Sequence, residues 1–349
     1  MMEFLHKRHA RYFKFCMDSI PGEYTSLDTS RMTLLFYAVS GLDLLGQLDL
    51  VQDKQSVIEW VYRQQITSEL CDGDLSRAGF RGSPANSSGA PLNQWDCSHV
   101  TMTYTALATL LVLGDDLSRV DRAALLSGLR ALQLPGGSFL SSLHGGESDM
   151  RFVYCAAAVS YMLDDWSGMD REKTREYVLR SMRYDHGISQ GPLLESHGGS
   201  TFCAVATLAL MGELESALTE QQRDGLVFWC LSRQGVGFNG RPNKQEDSCY
   251  TFWIGASLRL LDAYQFVRTD LLREFVYSAQ DPITGGLSKW PGHGADPLHT
   301  YLGISGLSLA GQEGLKPIHA ALNVSADAVE VLRRAQARWR DLPPVKAVD

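Results

Sequence analysis

From residue 99 onward the hydrophobic positions of the chain come in two textures. Segments such as residues 203–211 and 254–261 are almost continuously apolar and rich in small side chains. Segments such as 171–182 and 218–232 carry charges on one face and apolar residues at helical spacing on the other. The first texture predicts helices buried on all sides, the second amphipathic helices that cover them. Upstream, residues 1–20 predict a helical arm and residues 31–50 a helix that ends near Gly46-Gln47. Residues 66–98 lack periodicity and are rich in Gly, Ser, Asn and Pro, which predicts a long loop.

The two textures recur in register. Gln or Asp, then Gly, then an apolar residue marks a turn at Gln133, Asp185, Gln234 and Gln280, and the glycines at 137, 187, 237 and 286 are spaced by 50, 50 and 49 residues. An inner segment follows each turn, headed by Asp149, His197, Asp247 and Asp296, spaced by 48, 50 and 49. A repeat of about fifty residues with two helices per unit predicts stacked helical hairpins. Apolar inner helices alternating with amphipathic outer ones predict an all-α fold, an α/α barrel or toroid whose inner helix starts share one end. The expectation is one domain over residues 1–349, with an arm at 1–20 and a charged tail at 327–349 whose helix ends at Leu342-Pro343-Pro344.

Composition narrows the chemistry. With 44% hydrophobic and 21% charged residues the chain has a substantial core. A net charge of −8 argues against general nucleic-acid binding, so any basic site is a local cluster. Seven cysteines without a CxxC pair point to a reduced, cytoplasmic protein. The N-terminus is basic and aromatic without the apolar run of a signal peptide, and charges interrupt every apolar run before membrane-spanning length. Two glycosylation tripeptides, at Asn86 and Asn323, are read as chance matches.

Three groups of residues gather at the predicted inner helix starts. Asp247, Cys249 and His299 supply three ligand types from two neighbouring repeats, the pattern of a catalytic zinc site with one open place. Each has an alternative: Asp247 as a helix cap, Cys249 as a core thiol, His299 as a structural hydrogen-bonding group. Arg241, Lys244, Arg151, His197, Tyr250 and Lys289 form a second group. Cations and helix N-termini on one rim suit a phosphate-type ligand, solvated surface charge being the alternative. Gly198-Gly199 would let backbone amides approach an oxygen. Tyr104, Phe152, Tyr154, Phe202, Cys203, Phe252 and Trp253 form the third group, either plain core or the wall of a cavity for a long hydrocarbon.

At these residues the chain resembles the β subunits of the protein prenyltransferases, over about residues 28–325. The motifs are Glu195-Ser196-His197-Gly198-Gly199, Gly240-Arg241-Pro242-Asn243-Lys244, Asp247-x-Cys249-Tyr250-x-Phe252-Trp253 and Asp296-x-x-His299. Among the members it is most similar to the type I geranylgeranyltransferases, through Met102-Thr103-Tyr104-Thr105, Gly114-Asp115-Asp116-Leu117, Trp166-Ser167-Gly168-Met169-Asp170 and Ala321-Leu322-Asn323-Val324-Ser325. The resemblance implies an α/α toroid in an obligate heterodimer with a prenyltransferase α subunit. It implies transfer of a geranylgeranyl group from geranylgeranyl diphosphate to the cysteine of C-terminal Cys-a-a-X proteins such as small GTPases.

The resemblance also implies residue roles. Asp247, Cys249 and His299 would bind one zinc per heterodimer. His197, Gly198, Gly199, Arg241, Lys244 and Tyr250 would hold the diphosphate, with Tyr250 and Lys289 acting in catalysis. Arg151, Tyr154, Cys203, Trp253, Met102 and Tyr104 would line the isoprenoid channel, and Leu298 would join the substrate-binding set. Thr33 stands where the farnesyl enzyme carries a channel-closing tryptophan. Lys289 stands where that enzyme has a magnesium-recruiting aspartate, so magnesium would not be required. Glu246 departs from the family pattern by placing an acid beside the diphosphate clamp. The alternatives are a farnesyl- or Rab-type β subunit and a non-catalytic toroid binding module; an Asp-rich DxDD motif, as in terpene cyclases, is absent from the sequence.

Overall fold

The computed structural model describes residues 3–340 apart from Pro21, Ala90 and Gln94. Its helices are α1 (His6–Asp18), α2 (Arg31–Leu44), α3 (Lys54–Tyr62), α4 (Val100–Val112), α5 (Arg122–Ala131), α6 (Met150–Met162), α7 (Arg171–Arg180), α8 (Gly198–Leu210), α9 (Leu214–Ala217), α10 (Glu220–Leu231), α11 (Tyr250–Leu260), α12 (Thr269–Ser278), α13 (Pro297–Leu309) and α14 (Ala326–Arg340). Antiparallel two-residue strands pair as β1 (Gln65–Ile66) with β2 (Gly79–Phe80), β3 (Leu287–Ser288) with β4 (Ala295–Asp296), and β5 (Ile318–His319) with β6 (Val324–Ser325). Among the described residues, no helix is long and apolar enough to cross a membrane.

The repeat is visible in how inner helices begin. A side chain at each start accepts an orphan amide of the first turn: His99 from Thr101, Asp149 from Arg151, His197 from Gly199 and Asp296 from His299. The backbone ties three of the inner starts to the next hairpin of their own unit, Val100 N–H to Ser141 C=O, Gly198 N–H to Gly240 C=O and Ser248 N–H to Lys289 C=O.

The chain forms two compact units. One comprises residues up to 19, 37–51 and 177–326; the other comprises 20–36, 52–176 and the described part of 327–349. In the first, inner helices α8, α11 and α13 pack side by side, with α10 against α11 and α1 against α13. In the second, α4 packs on α6 and α3 on α4, while α5 covers β2 and the turn at Leu75–Arg77. Almost every α4, α6 and α8 side chain is buried, as the continuous apolar texture predicts. Each fully buried Leu, Ile or Phe contributes about 1.5–3 kcal/mol relative to exposure.

Two expectations are refined. The stretch 66–98 is not wholly loop: its start pairs with Gly79–Phe80 as the β1–β2 ribbon, with short 3-10 turns at Leu75–Arg77 between the strands and at Pro84–Asn86 beyond them. The arm at the N-terminus is α1, and it lies on its own chain, with Phe13 packed where a Cβ on Gly41 would stand. The proposed helix stop at Leu342-Pro343-Pro344 lies outside the described residues.

Close approach of α11 and α13 depends on a missing side chain. A Cβ on Gly306 would sit 2.3 Å from Thr251 Cγ2 and 2.6 Å from the Thr251 carbonyl carbon. Gly306→Ala must push the two inner helices apart. It is expected to cost about 1–3 kcal/mol, read as a lowered denaturant midpoint with unchanged slope; an unchanged midpoint would show that the helices yield without strain.

Candidate active site

One helix start breaks the pattern. α6, α8 and α13 begin directly after their capping residue, but α11 begins three residues after Asp247. Between them the chain turns on bonds that span three residues, Tyr250 N–H to Asp247 C=O, Thr251 N–H to Ser248 C=O and Phe252 N–H to Cys249 C=O. This tighter 3-10 start winds Cys249 back over Asp247, whose Oδ1 accepts the Cys249 amide at 3.0 Å. His299 arrives from the first turn of α13. One ligand atom from each of Asp247, Cys249 and His299 lies within 4.8 Å of the other two.

The histidine is aimed. Asp296 accepts the His299 amide on Oδ1 at 2.9 Å and holds Nδ1 on Oδ2 at 2.6 Å. That leaves Nε2 facing Asp247 Oδ1 at 3.3 Å. A carboxylate behind a histidine in this way fixes tautomer and ring direction for a metal ligand. Sequence reading placed Asp296 only at the head of its repeat and in the Asp296-x-x-His299 motif, without a role at the site.

The electrostatics of the triad call for a cation. Burial opposes a charge on His299, but its hydrogen bonds to Asp247 and Asp296 prevail and raise its pKa to about 9. Burial also opposes the Asp247 charge, yet bonds from His299 and Cys249 hold its carboxyl below the usual range. Burial, reinforced by the Asp247 charge, pushes the Cys249 thiol well above its ordinary value. A divalent cation among the three donors would reverse that last effect, because a coordinating thiol is deprotonated outright. A carboxylate, an imidazole and a thiolate together fit zinc.

Beside the triad stand the anion-binding candidates of the same unit. His197 Nδ1 accepts the Gly199 amide at 3.1 Å, so its Nε2 carries the proton and donates to the Tyr250 hydroxyl oxygen at 3.0 Å. The Tyr250 phenol, kept protonated by burial, can then donate its own hydrogen to a ligand. Lys289 Nζ is 3.8 Å from Asp247 Oδ2 and lies 4.6 Å above the Trp290 ring. Arg241 is half-buried and Lys244 exposed on the loop before Asp247. The Gly198 and Gly199 amides, expected to face a ligand, are used inside the fold, by Gly240 C=O and His197 Nδ1. Gly198 is needed for space, since a Cβ there would come within 2.8 Å of Ile254 and 3.0 Å of Tyr250.

The apolar candidates divide between the units. In the first, the Phe202 ring packs 5.1 Å from both Phe252 and Trp253, next to buried Cys203, and Leu298 is half-buried on the first turn of α13. In the second, the Tyr154 and Tyr104 hydroxyls meet at 3.3 Å, Phe36 packs on Tyr104, and the Thr33 hydroxyl reaches Met102 Sδ at 3.4 Å. Arg151 there is exposed and held by Asp149 at 2.7 Å and Glu147 at 3.3 Å.

The acid expected at the anion cluster is the wrong one. Glu246 turns away and accepts the Val236 amide at 2.8 Å. Glu195 instead accepts from Arg241 Nη1 at 2.7 Å. Glu195 and Glu147 each stand two residues before an inner-helix cap, and each holds an arginine. The repeated arrangement argues that these acids orient the arginine forks. An exposed pair is worth about 0–1 kcal/mol, so Glu195→Gln is expected to weaken inorganic pyrophosphate binding about two- to fivefold by calorimetry; tighter binding would make Glu195 a competitor instead.

Comparison with known proteins identifies the family of the chain. The prenyltransferase alpha-alpha toroid domain model matches residues 4–324. The geranylgeranyl transferase type-1 subunit beta of Arabidopsis thaliana is 42% identical over 327 residues, covering 89% of this chain and 86% of the relative. Its counterpart in Dictyostelium discoideum is 36% identical over 332 residues, covering 90% and 94%. The structure of Candida albicans protein geranylgeranyltransferase-I complexed with GGPP superposes with a TM-score of 0.86 over 95% of this chain and 99% of that one, at 23% identity. The helical hairpins are thus those of an α/α toroid, and this chain belongs to the prenyltransferase family.

Proposed function

We propose that the chain is the catalytic β subunit of a heterodimeric, zinc-dependent protein geranylgeranyltransferase of type I, working in the cytoplasm with a prenyltransferase α subunit. Its donor is geranylgeranyl diphosphate and its acceptor the cysteine of a C-terminal Cys-a-a-X protein, X being mostly leucine. The observation that carries this reading is the convergence of Asp247, Cys249 and His299 beside the His197–Tyr250 pair. A toroid that only bound a partner would have no use for a buried thiol and carboxylate aimed at a carboxylate-backed histidine.

In this reading Asp247, Cys249 and His299 hold one zinc, which when bound supplies a thiolate from the acceptor cysteine at neutral pH. The acceptor sulfur forms a bond to C1 of the prenyl chain while the C1–O bond breaks and its electron pair leaves with the diphosphate. Charge grows on the bridging oxygen as that bond lengthens. The Tyr250 hydroxyl, backed by His197, donates to it, and Arg241, Lys244 and Lys289 neutralise the leaving group. Donors and cations fixed in advance are stronger there than in water, and they favour the transition state over the bound donor. Lys289 supplies as a side chain the positive charge that a magnesium ion would otherwise bring, so magnesium is not required. Arg151, Tyr154, Cys203, Trp253, Met102, Tyr104 and Leu298 contact the prenyl chain and the acceptor.

The choice of the twenty-carbon donor over the fifteen-carbon one rests on Thr33. Its side chain is small, half-buried and set against Met102, and in this reading the bulk of an indole there would shorten the channel. In single-turnover transfer by the co-expressed heterodimer, the unaltered protein is expected to prefer geranylgeranyl over farnesyl diphosphate with a Cys-a-a-Leu peptide. Thr33→Trp is expected to shift that ratio toward the farnesyl donor by about tenfold or more. A farnesyl preference in the unaltered protein would move it to the sister activity, and no transfer at all would remove the catalytic reading.

A further inference from the structure

The N-terminal helix does more than cover the core. Gln280, at the turn before β3, accepts the Leu5 amide on Oε1 at 2.9 Å and donates to the Glu3 carbonyl at 3.0 Å. His9 is fully buried and also bonds Gln280 Oε1 through Nε2, at 2.9 Å. Its other nitrogen, Nδ1, accepts the Gly286 amide at 3.0 Å. Gly286 N–H can only donate, so Nδ1 is unprotonated and Nε2 carries the hydrogen. Burial holds the His9 pKa down to about 4, which keeps that tautomer at neutral pH.

Gly285 and Gly286 have no room for side chains. Cβ atoms there would meet the Arg8 carbonyl at 2.3 Å and, for Gly286, Ala295 at 2.7 Å and Tyr12 at 3.0 Å. Both glycines have positive φ, of 77° and 88°, a conformation that suits glycine. The backbone of this turn therefore rests directly on α1.

Both halves of the metal triad hang from the hairpin that leaves this turn. On the β3 side, the Lys289 carbonyl accepts the Ser248 amide at 2.9 Å and the Ser288 carbonyl accepts the Ser248 hydroxyl at 2.7 Å. Ser248 is the residue between Asp247 and Cys249. On the β4 side, the strand ends at Asp296, which orients His299. The path from α1 lies within one compact unit, through bonds that are buried on the Ser248 side and part-buried at Asp296.

We propose that His9 is a positioning residue for the metal centre: through its bond to Gly286 it fixes the β3–β4 hairpin, and the hairpin fixes Ser248 and Asp296 and through them the three ligands. The inference rests on the zinc site of the proposed function. Outer groups that orient ligands change metal affinity by about 10–100-fold, and His9 lies further out, so an effect of about tenfold is expected.

The test uses the co-expressed heterodimer and two variants. His9→Asn keeps a short acceptor for the Gly286 amide; His9→Gln keeps the longer reach to Gln280 but not that acceptor. His9→Gln is expected to release zinc to a chelator about tenfold faster and to alter the thiolate-to-metal absorption bands of the cobalt-loaded protein, with its thermal midpoint close to that of His9→Asn. His9→Asn is expected to stay near the unaltered protein in both readouts. Equal release rates and spectra in all three proteins would overturn the proposal, and so would equal impairment of both variants, which would make His9 merely structural. If the unaltered heterodimer bound neither zinc nor cobalt, the proposed function would fail rather than this relay.

Discussion

A carboxylate and a thiol buried side by side are poor neighbours, because the charge of one raises the cost of ionising the other. Asp247 and Cys249 are buried, two residues apart, and the Cys249 amide donates to the Asp247 carboxylate. A cation is what makes such a pair stable and useful, and the rest of the site is arranged around that need. The 3-10 start of α11 brings the two donors together. Asp296 presents His299 as the third, and Lys289 adds a fixed positive charge on the outer side. The same balance keeps the anion-binding groups in place, since their cations rest on carboxylates, Arg241 on Glu195 and Lys289 on Asp247.

The repeat supplies the rigidity that this balance needs. The inner helices α4, α6, α8 and α13 are capped by a side chain, and backbone bonds from Val100, Gly198 and Ser248 tie three of the helix starts to a later hairpin. Donors from different repeats are therefore held by one continuous hydrogen-bonded frame rather than by independent loops. The candidate site lies where the repeat is broken. His197 replaces an aspartate cap and so gains a second nitrogen for Tyr250.

Much of this was legible in the sequence because it is periodic. The glycine and cap columns revealed the hairpins, and the columns identified which residues depart from them. What the sequence did not disclose depends on the direction of a side chain. Glu246 and Glu195 are equally close to Arg241-Lys244 in type and charge, yet one turns back to Val236 and the other reaches Arg241. Gly198-Gly199 read as amides open to a ligand, but both amides close hydrogen bonds within the fold. The docking of α1 on Gly285-Gly286 joins residues 277 positions apart, and no local pattern signals it. The β1–β2 ribbon was hidden for a related reason: two-residue strands carry no periodicity.

The most direct test is X-ray absorption at the zinc edge of the heterodimer, with and without a Cys-a-a-Leu peptide. The account predicts one sulfur scatterer at about 2.3 Å with nitrogen and oxygen at about 2.0–2.2 Å, and a second sulfur when peptide is added. A first shell of nitrogen and oxygen alone, unchanged by peptide, would contradict a centre built on Asp247, Cys249 and His299.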